Sequence, residues 1–137
     1  ILGPDATADT PEFDLYVKQL VTEMTTKAGQ KCTAIRRALV PVELIDQVVE
    51  ATRARLSTIV IGNPEAEGVR MGALASLNQR EEVLRSLKSL RDAATLVFGD
   101  PDSFTVEGAD STRGAFLPPL LLRAQDPYAP ALHEVEA

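Results

Sequence analysis

Cys32 is the only cysteine in this 137-residue chain and the side chain best suited to covalent chemistry. It follows Gly29-Gln30-Lys31 in a turn predicted between an apolar-faced helix and a strand, where a rigid scaffold can present a reachable thiol. Nearby cations would favour the nucleophilic thiolate, whereas the negative C-terminal end of the preceding helix would oppose it. These cations are Lys27, Lys31, Arg36 and Arg37. The residues alone leave two interpretations open, a nucleophile or the small buried apolar residue that free cysteines more often are.

The other polar residues carry weaker chemical signals. His133 is the only histidine, and no cysteine or second histidine lies at ligand spacing from it, so we expect a surface histidine and no metal site. Arg36 and Arg37 fit ordinary surface charges on a strand, with ion pairs as an alternative. A single cysteine allows no internal disulfide, which favours a cytoplasmic location.

Composition excludes two classes of partner. Twenty acidic residues against fourteen basic ones give a formal charge of −6, which repels nucleic acid backbones and anionic lipid headgroups. No apolar run approaches the ~20 residues that span a bilayer, and prolines interrupt the most apolar stretch, residues 115–122. We therefore expect neither a nucleic-acid partner nor a membrane. The length, with 45% hydrophobic and 25% charged residues, fits one globular unit.

Apolar spacing predicts the elements that must position Cys32. After a helix start at Thr10, apolar residues recur from Phe13 onward at three- and four-residue intervals, and Gly29 would end that helix. Ser76 and Gln79 fit a capping box at the start of a later helix. The predicted class is α/β, with strands that need not all belong to one sheet. The predicted elements are helices over 11–28, 41–56 and 77–93, strands over 33–40 and 94–98, a loop over 62–72, and an extended segment over 116–122.

Four motifs in collinear order give a more specific signal. The segment from Met24 through Cys32 to Arg37 resembles the active-site segment of the aldehyde dehydrogenase superfamily, in which a helix ends in Gly-Gln-x-Cys and a strand with an arginine follows. The later motifs resemble the family's Gly-Asp-Pro and Gly-Pro-Leu pair, its Gly-Tyr-Phe-x-x-Pro strand and its Glu-Glu-Ile-Phe-Gly-Pro motif. In this chain they are Gly62-Asn63-Pro64 with Met71-Gly72-Ala73-Leu74, Gly114-Ala115-Phe116-Leu117-Pro118-Pro119, and Glu134-Val135-Glu136.

The resemblance implies a fold, a reaction and a cofactor. It implies part of a three-layer α/β catalytic domain in which Cys32 attacks an aldehyde, hydride passes to NAD or NADP, and water hydrolyses the resulting thioester. Glu136 aligns with the glutamate that binds the nicotinamide ribose; a solvated carboxylate is the alternative for it. The residues around Cys32 are most similar to the dehydrogenase half of the bifunctional ring-opening enzymes of phenylacetate degradation, which also carry oxepin-CoA hydrolase activity. That similarity implies a CoA-linked semialdehyde substrate, and a CoA phosphate is then an alternative partner for Arg36 and Arg37.

Departures from the family pattern are equally informative. The family's catalytic-base glutamate, its oxyanion-hole asparagine and its dinucleotide-binding domain have no counterpart in this sequence. We therefore expect residues 1–137 to be a nucleophile-bearing fragment of the catalytic domain. Its partners would be the aldehyde substrate, the rest of the parent polypeptide and further copies in a homo-oligomer. The alternative is a folded but catalytically inert structural or assembly fragment of that enzyme.

Overall fold

The computed structural model describes residues 1–135. Over that range the chain forms four α-helices and four short strands. The predicted α/β class is observed, and the strands form two separate two-stranded sheets. In chain order the elements are α1 (Pro11–Thr25), α2 (Ile45–Leu56), β1 (Val60–Ile61), β2 (Val69–Met71), α3 (Leu77–Leu90), β3 (Ala94–Phe98), β4 (Leu121–Ala124) and α4 (Pro130–Glu134). None of the helices described here combines the length and the apolar character needed to cross a lipid bilayer.

The first core lies between α1 and α2. α1 begins as predicted, because the Thr10 hydroxyl accepts a hydrogen bond from the Phe13 amide at 3.3 Å and satisfies one of the free donors of the first turn. Phe13 and Val17 are only 5% and 1% exposed. Burial of each such side chain contributes roughly 1.5–3 kcal/mol. The buried members of this core are Leu2, Ala6, Phe13, Val17, Leu44 and Val48.

A second core lies beside the parallel pair β1–β2. Val60 pairs with Val69 and Ile61 with Met71, and the buried side chains of Ile61, Met71 and Phe116 pack together. Gly62 extends this sheet through a bridge to Glu107. A Cβ at Gly62 would lie 2.0 Å from the Glu107 carbonyl oxygen, so this close approach of two backbones requires glycine.

The remaining elements follow local signals. The Ser76 hydroxyl accepts from the Gln79 amide at 3.1 Å, so α3 begins where the capping residues predict. Strand β3 covers the predicted 94–98 and pairs in antiparallel fashion with β4, with Ala94 opposite Ala124. The extended segment predicted over 116–122 is a strand only from Leu121 onward.

Three sequence predictions are wrong in part. Residues 33–40 form no strand within the described range; they run as an irregular segment. The predicted loop over 62–72 contains β2. The first helix ends at Thr25, because Lys27 and Ala28 leave the right-handed helical region, and a short 3-10 turn over Thr26–Gly29 follows instead.

Candidate functional site

The turn that follows α1 has an unusual backbone. Lys27, Ala28 and Gly29 have φ values of 53°, 55° and 73°. For a residue with a Cβ this left-handed conformation costs roughly 1–2 kcal/mol relative to the right-handed one. The cost is met by contacts around the turn, among them the packing of Ala28 against the second core. The sequence predicts a positive φ only at Gly29.

Cys32 lies exposed on this turn. Its exposure argues against the buried apolar interpretation and fits a thiol that other molecules can reach. The neighbouring amides of Lys31 and Ala34 bind the carbonyls of Gly29 and Lys31 at 2.9 and 3.1 Å. Within residues 1–135 the amide N–H of Cys32 itself donates to no carbonyl or side chain, which leaves it free to bind an oxygen beside the thiol.

Gln30 fastens the turn to a distant loop. Its side-chain oxygen accepts from the Ala75 amide at 2.7 Å, and its side-chain nitrogen donates to the Lys27 carbonyl at 2.9 Å. The loop that carries Ala75 is itself anchored, because the Leu74 amide donates to the Ala115 carbonyl at 2.9 Å. One amide side chain therefore holds the strained turn against a fixed part of the fold.

Two of the four cations predicted near Cys32 bind groups on or next to its turn. Lys31 pairs with Glu23 at 2.8 Å, and the two side chains are 24% and 22% exposed. Arg36 donates to the Gly29 carbonyl at 3.4 Å. These contacts neutralise Lys31 locally and use Arg36 to hold the backbone that leads to the thiol.

Arg37 makes a contact that the sequence does not predict. Its guanidinium donates to the carbonyls of Leu132 at 2.7 Å, Val135 at 3.0 Å and His133 at 3.3 Å. These carbonyls lie at the C-terminal end of α4, where a helix has unpaired acceptors. The expectation of a charge on a strand surface is wrong for Arg37, because the partners lie 95 to 98 positions away and leave no local pattern.

The later motifs converge on the same region. The Gly62 amide donates to the Met71 carbonyl at 3.0 Å. This bond joins the two segments that resemble the Gly-Asp-Pro and Gly-Pro-Leu pair. The bond from Leu74 to Ala115 joins that pair to the third motif. Arg80 on α3 donates to the Phe116 carbonyl at 2.9 Å and so binds the third motif to α3. Three of the four collinear motifs therefore meet around the second core, against which Ala28 packs.

The remaining predicted site residues take no part in this arrangement. Glu136 lies outside the described residues, so its cofactor role stays a prediction. His133 is exposed, with Nε2 3.0 Å from the Pro127 carbonyl oxygen. Over residues 1–135 no cluster of three or more His, Cys, Asp or Glu residues could hold a metal ion. A cleft of about 520 Å³ next to β1, lined by Val60, Phe98 and Pro118 among others, does not include Cys32.

Comparisons with known proteins agree with the motifs. The aldehyde dehydrogenase family model matches residues 6–134. A 3,4-dehydroadipyl-CoA semialdehyde dehydrogenase of Aromatoleum evansii is 44% identical over 137 residues, which are 99% of this chain and 27% of that protein. The chain thus spans about a quarter of the length of that relative.

Solved structures give the same result. Gamma-glutamyl-gamma-aminobutyraldehyde dehydrogenase from Burkholderia cenocepacia J2315 matches with a TM-score of 0.76 and 27% identity, over 91% of this chain and 24% of its own. Aldehyde dehydrogenase C from Pseudomonas syringae, solved with NAD⁺ and octanal, matches with a TM-score of 0.71 and 26% identity, over 85% of this chain and 23% of its own.

Proposed function

The chain belongs to the aldehyde dehydrogenase family, and on that premise we propose that it is the nucleophile-bearing part of an NAD(P)-dependent aldehyde dehydrogenase in which Cys32 attacks the substrate. Its helices and strands form part of the aldehyde dehydrogenase fold. The observation that carries the proposal is the exposed thiol of Cys32 on a turn fastened by Gln30 and Arg36. A rigid turn with a reachable thiol is what nucleophilic attack requires.

The proposed chemistry uses the thiol and the amide of Cys32. As a thiolate, Sγ forms a bond to the aldehyde carbon, and the carbonyl electron pair moves onto oxygen. The amide N–H of Cys32, which is unbonded within residues 1–135, would stabilise the negative oxygen. Loss of hydride from the resulting thiohemiacetal gives a thioester. Water then adds to the thioester carbon, and cleavage of the C–S bond releases the acid and restores the thiol.

The cofactor would supply only the hydride acceptor for this reaction. The described residues are compatible with such a cofactor, because the thiol of Cys32 is exposed. On this chain we propose Glu136 as the residue that holds the nicotinamide ribose. A relative solved with NAD⁺ supports a nicotinamide cofactor for the family. The catalytic base, the rest of the oxyanion site and the dinucleotide-binding domain would come from the remainder of the enzyme.

The substrate we propose is a semialdehyde linked to CoA. Support comes from the relative that is 44% identical, whose name describes a 3,4-dehydroadipyl-CoA semialdehyde dehydrogenase. Arg37 is not a candidate for the CoA phosphates, since its donors bind backbone carbonyls at the end of α4. A homo-oligomer and a cytoplasmic location stay predictions.

Turnover of the full-length protein tests the proposal. NAD(P)H absorbance would be followed with CoA-linked and free aldehydes for the natural protein, for Cys32→Ala and for Thr33→Ala, an exposed neighbour on the same turn. Cys32→Ala should lower kcat by a factor on the order of 10³ or more, because the covalent route is lost. Thr33→Ala should retain turnover.

The 137-residue chain alone should give no Cys32-dependent rate, which the inert-fragment alternative also predicts. The full-length protein separates the two hypotheses. Turnover that survives Cys32→Ala there would refute the nucleophile assignment. Labelling of Cys32 by an aldehyde-directed thiol reagent, followed by mass spectrometry, gives a second readout; a rate no faster than that of a free peptide thiol would count against an activated nucleophile.

A further inference from the structure

Gln30 lies two positions before Cys32 and joins its turn to the loop over residues 72–76. We propose that Gln30 is a positioning residue for the nucleophile, and that its bond to Ala75 holds the thiol and the free amide of Cys32 in one fixed geometry. This role deepens the proposed function and rests on it, because it assumes that Cys32 attacks a carbonyl carbon.

The Gln30 side chain uses both ends of its amide. Oε1 accepts a hydrogen bond from the Ala75 amide at 2.7 Å, and Nε2 donates to the Lys27 carbonyl at 2.9 Å. The backbone amide of Gln30 donates to the same carbonyl at 3.1 Å. A side-chain amide provides an acceptor and donors at one tip, so glutamine can make both bonds at once. An apolar side chain of similar length would make neither.

The loop that binds Gln30 is fixed independently of the turn. The Leu74 amide donates to the Ala115 carbonyl at 2.9 Å, and Ala73 packs against the second core. Ala28, in the strained part of the turn, packs against the same core. Packing brings the turn and the loop together, and the Gln30 bond adds a defined direction, since hydrogen bonds are directional whereas apolar contacts are not.

The two residues before Cys32 are held by different parts of the fold. Lys31 pairs with Glu23 on α1 at 2.8 Å, whereas Gln30 binds the loop over 72–76. Neither Gln30 nor Cys32 is buried. Loss of the Gln30 bonds should therefore change the direction of the Cys32 amide and thiol without removing a core contact.

Two reactions of the thiol separate positioning from access. In acylation by p-nitrophenyl acetate, Sγ bonds to the carbonyl carbon, the electron pair moves onto oxygen, and p-nitrophenolate then leaves. The Cys32 amide can stabilise that negative oxygen. Alkylation by iodoacetamide displaces iodide from a saturated carbon and needs no such donor. Both reactions use the thiolate, so the ionised fraction of the thiol cancels in the ratio of their rates.

The test uses the full-length protein without cofactor. The two rates would be measured for the natural protein, for Gln30→Met, for Ala75→Pro and for the double variant, with Cys32→Ala supplying the background from the rest of the protein. Ala75→Pro removes the amide N–H that Gln30 binds and leaves Gln30 itself unchanged. Gln47→Met is the matched control, because Gln47 is an exposed glutamine on α2. Aldehyde turnover of the same variants gives kcat and KM, and circular dichroism monitors the fold.

Gln30→Met should lower the ratio of the acylation rate to the alkylation rate about tenfold, because a displaced amide meets the negative oxygen poorly; complete loss of such a donor costs roughly 10²–10³ in kcat. The same variant should lower kcat for the aldehyde more than it changes KM, since the weakened contact forms in the transition state. Ala75→Pro should lower the ratio in the same direction. The double variant should be close to Gln30→Met, because both substitutions break one bond. Gln47→Met should leave both rates unchanged.

A ratio in Gln30→Met within about twofold of that of the natural protein would overturn the proposal. So would a fall of both rates by the same factor, which would indicate altered access to the thiol, and so would additive losses in the double variant. If Gln30→Met does not fold, the ratio in Ala75→Pro decides by the same criterion, and loss of fold in both variants would assign the bond to stability and overturn the positioning role. Failure of the proposed function is a separate outcome: aldehyde turnover would survive Cys32→Ala, whatever the ratios of the other variants.

Discussion

The α1–α2 pair and the Cys32 turn, residues 26–37, are held in place by different forces. The core between the two helices contains six buried apolar side chains, three from the helices and three from the segments that precede them. The Cys32 turn contains no buried residue at all. It is fixed by directional polar bonds instead, which reach Ala75 from Gln30, Glu23 from Lys31 and the end of α4 from Arg37.

This difference separates stability from function. Apolar burial is roughly proportional to the area removed from water and supplies most of the free energy of folding. A polar bond contributes only about 0.5–1.5 kcal/mol net, but it fixes a direction. Substitution of a buried apolar residue in the helix pair should therefore lower the stability of the fold, whereas a substitution in the Cys32 turn should displace the thiol or its neighbours and leave the fold intact.

The largest effect is expected in the helix pair. Phe13→Ala should lower the free energy of unfolding by about 3–5 kcal/mol, because it removes a buried ring and leaves a cavity between α1 and α2. Phe13 is 5% exposed in the first core. Urea denaturation followed by circular dichroism measures the change.

Leu15→Ala on the same helix is the control, since Leu15 is 56% exposed and should cost little. Equal losses from the two substitutions would contradict the assignment of the core to one face of α1. A loss of less than about 1 kcal/mol for Phe13→Ala would show that the helix pair is not held by apolar burial.

The same contrast explains what the sequence can predict. α1, α3 and β3 follow from capping residues and apolar spacing, signals contained within each element. The segment 33–40 was predicted as a strand because apolar residues flank its arginines, yet its backbone pairs with no strand within residues 1–135. The Arg36 side chain donates to the Gly29 carbonyl, seven positions away, and the Arg37 side chain to carbonyls 95 to 98 positions away.

The candidate site divides in the same way. Cys32 and its exposed turn were predicted from a motif whose residues are adjacent in sequence. The role of Gln30 in binding Ala75 and the contacts of Arg37 with α4 were missed, since each depends on how distant segments meet in three dimensions. The positive φ of Lys27 and Ala28 was missed for another reason, because residues with a Cβ rarely adopt it.

Replacing one lysine by glycine in each of the two regions should have an intermediate effect on the free energy of unfolding. Lys27→Gly should raise the free energy of unfolding by up to about 1 kcal/mol, because glycine adopts the φ of 53° at this position without steric cost. Lys18→Gly should lower it by about 1 kcal/mol, because Lys18 lies inside α1 and glycine is a poor helix former. Both lysines are exposed.

Urea denaturation of the two variants, measured side by side, gives the sign of each change. Opposite signs would confirm that the Cys32 turn stores backbone strain that the helix does not. A loss of stability in Lys27→Gly as large as in Lys18→Gly would contradict the left-handed conformation at residue 27.

The smallest effect concerns Tyr16 on α1, which packs against the first core. Burial raises the pKa of the Tyr16 phenol above its ordinary value of 10.0, and its hydroxyl donates to the Leu39 carbonyl at 3.5 Å. The folded chain therefore favours the neutral phenol, so this contribution to stability is present below the unfolded pKa and is lost as the pH rises through the folded one. Between about pH 9 and about pH 11, stability should fall more steeply in the natural chain than in Tyr16→Phe.

Tyr128→Phe is the control, because Tyr128 is 85% exposed; its slope should match that of the natural chain. Urea denaturation at several pH values measures all three slopes. A slope in Tyr16→Phe equal to that of the natural chain would show that α1 and the segment after Cys32 do not bury this phenol between them.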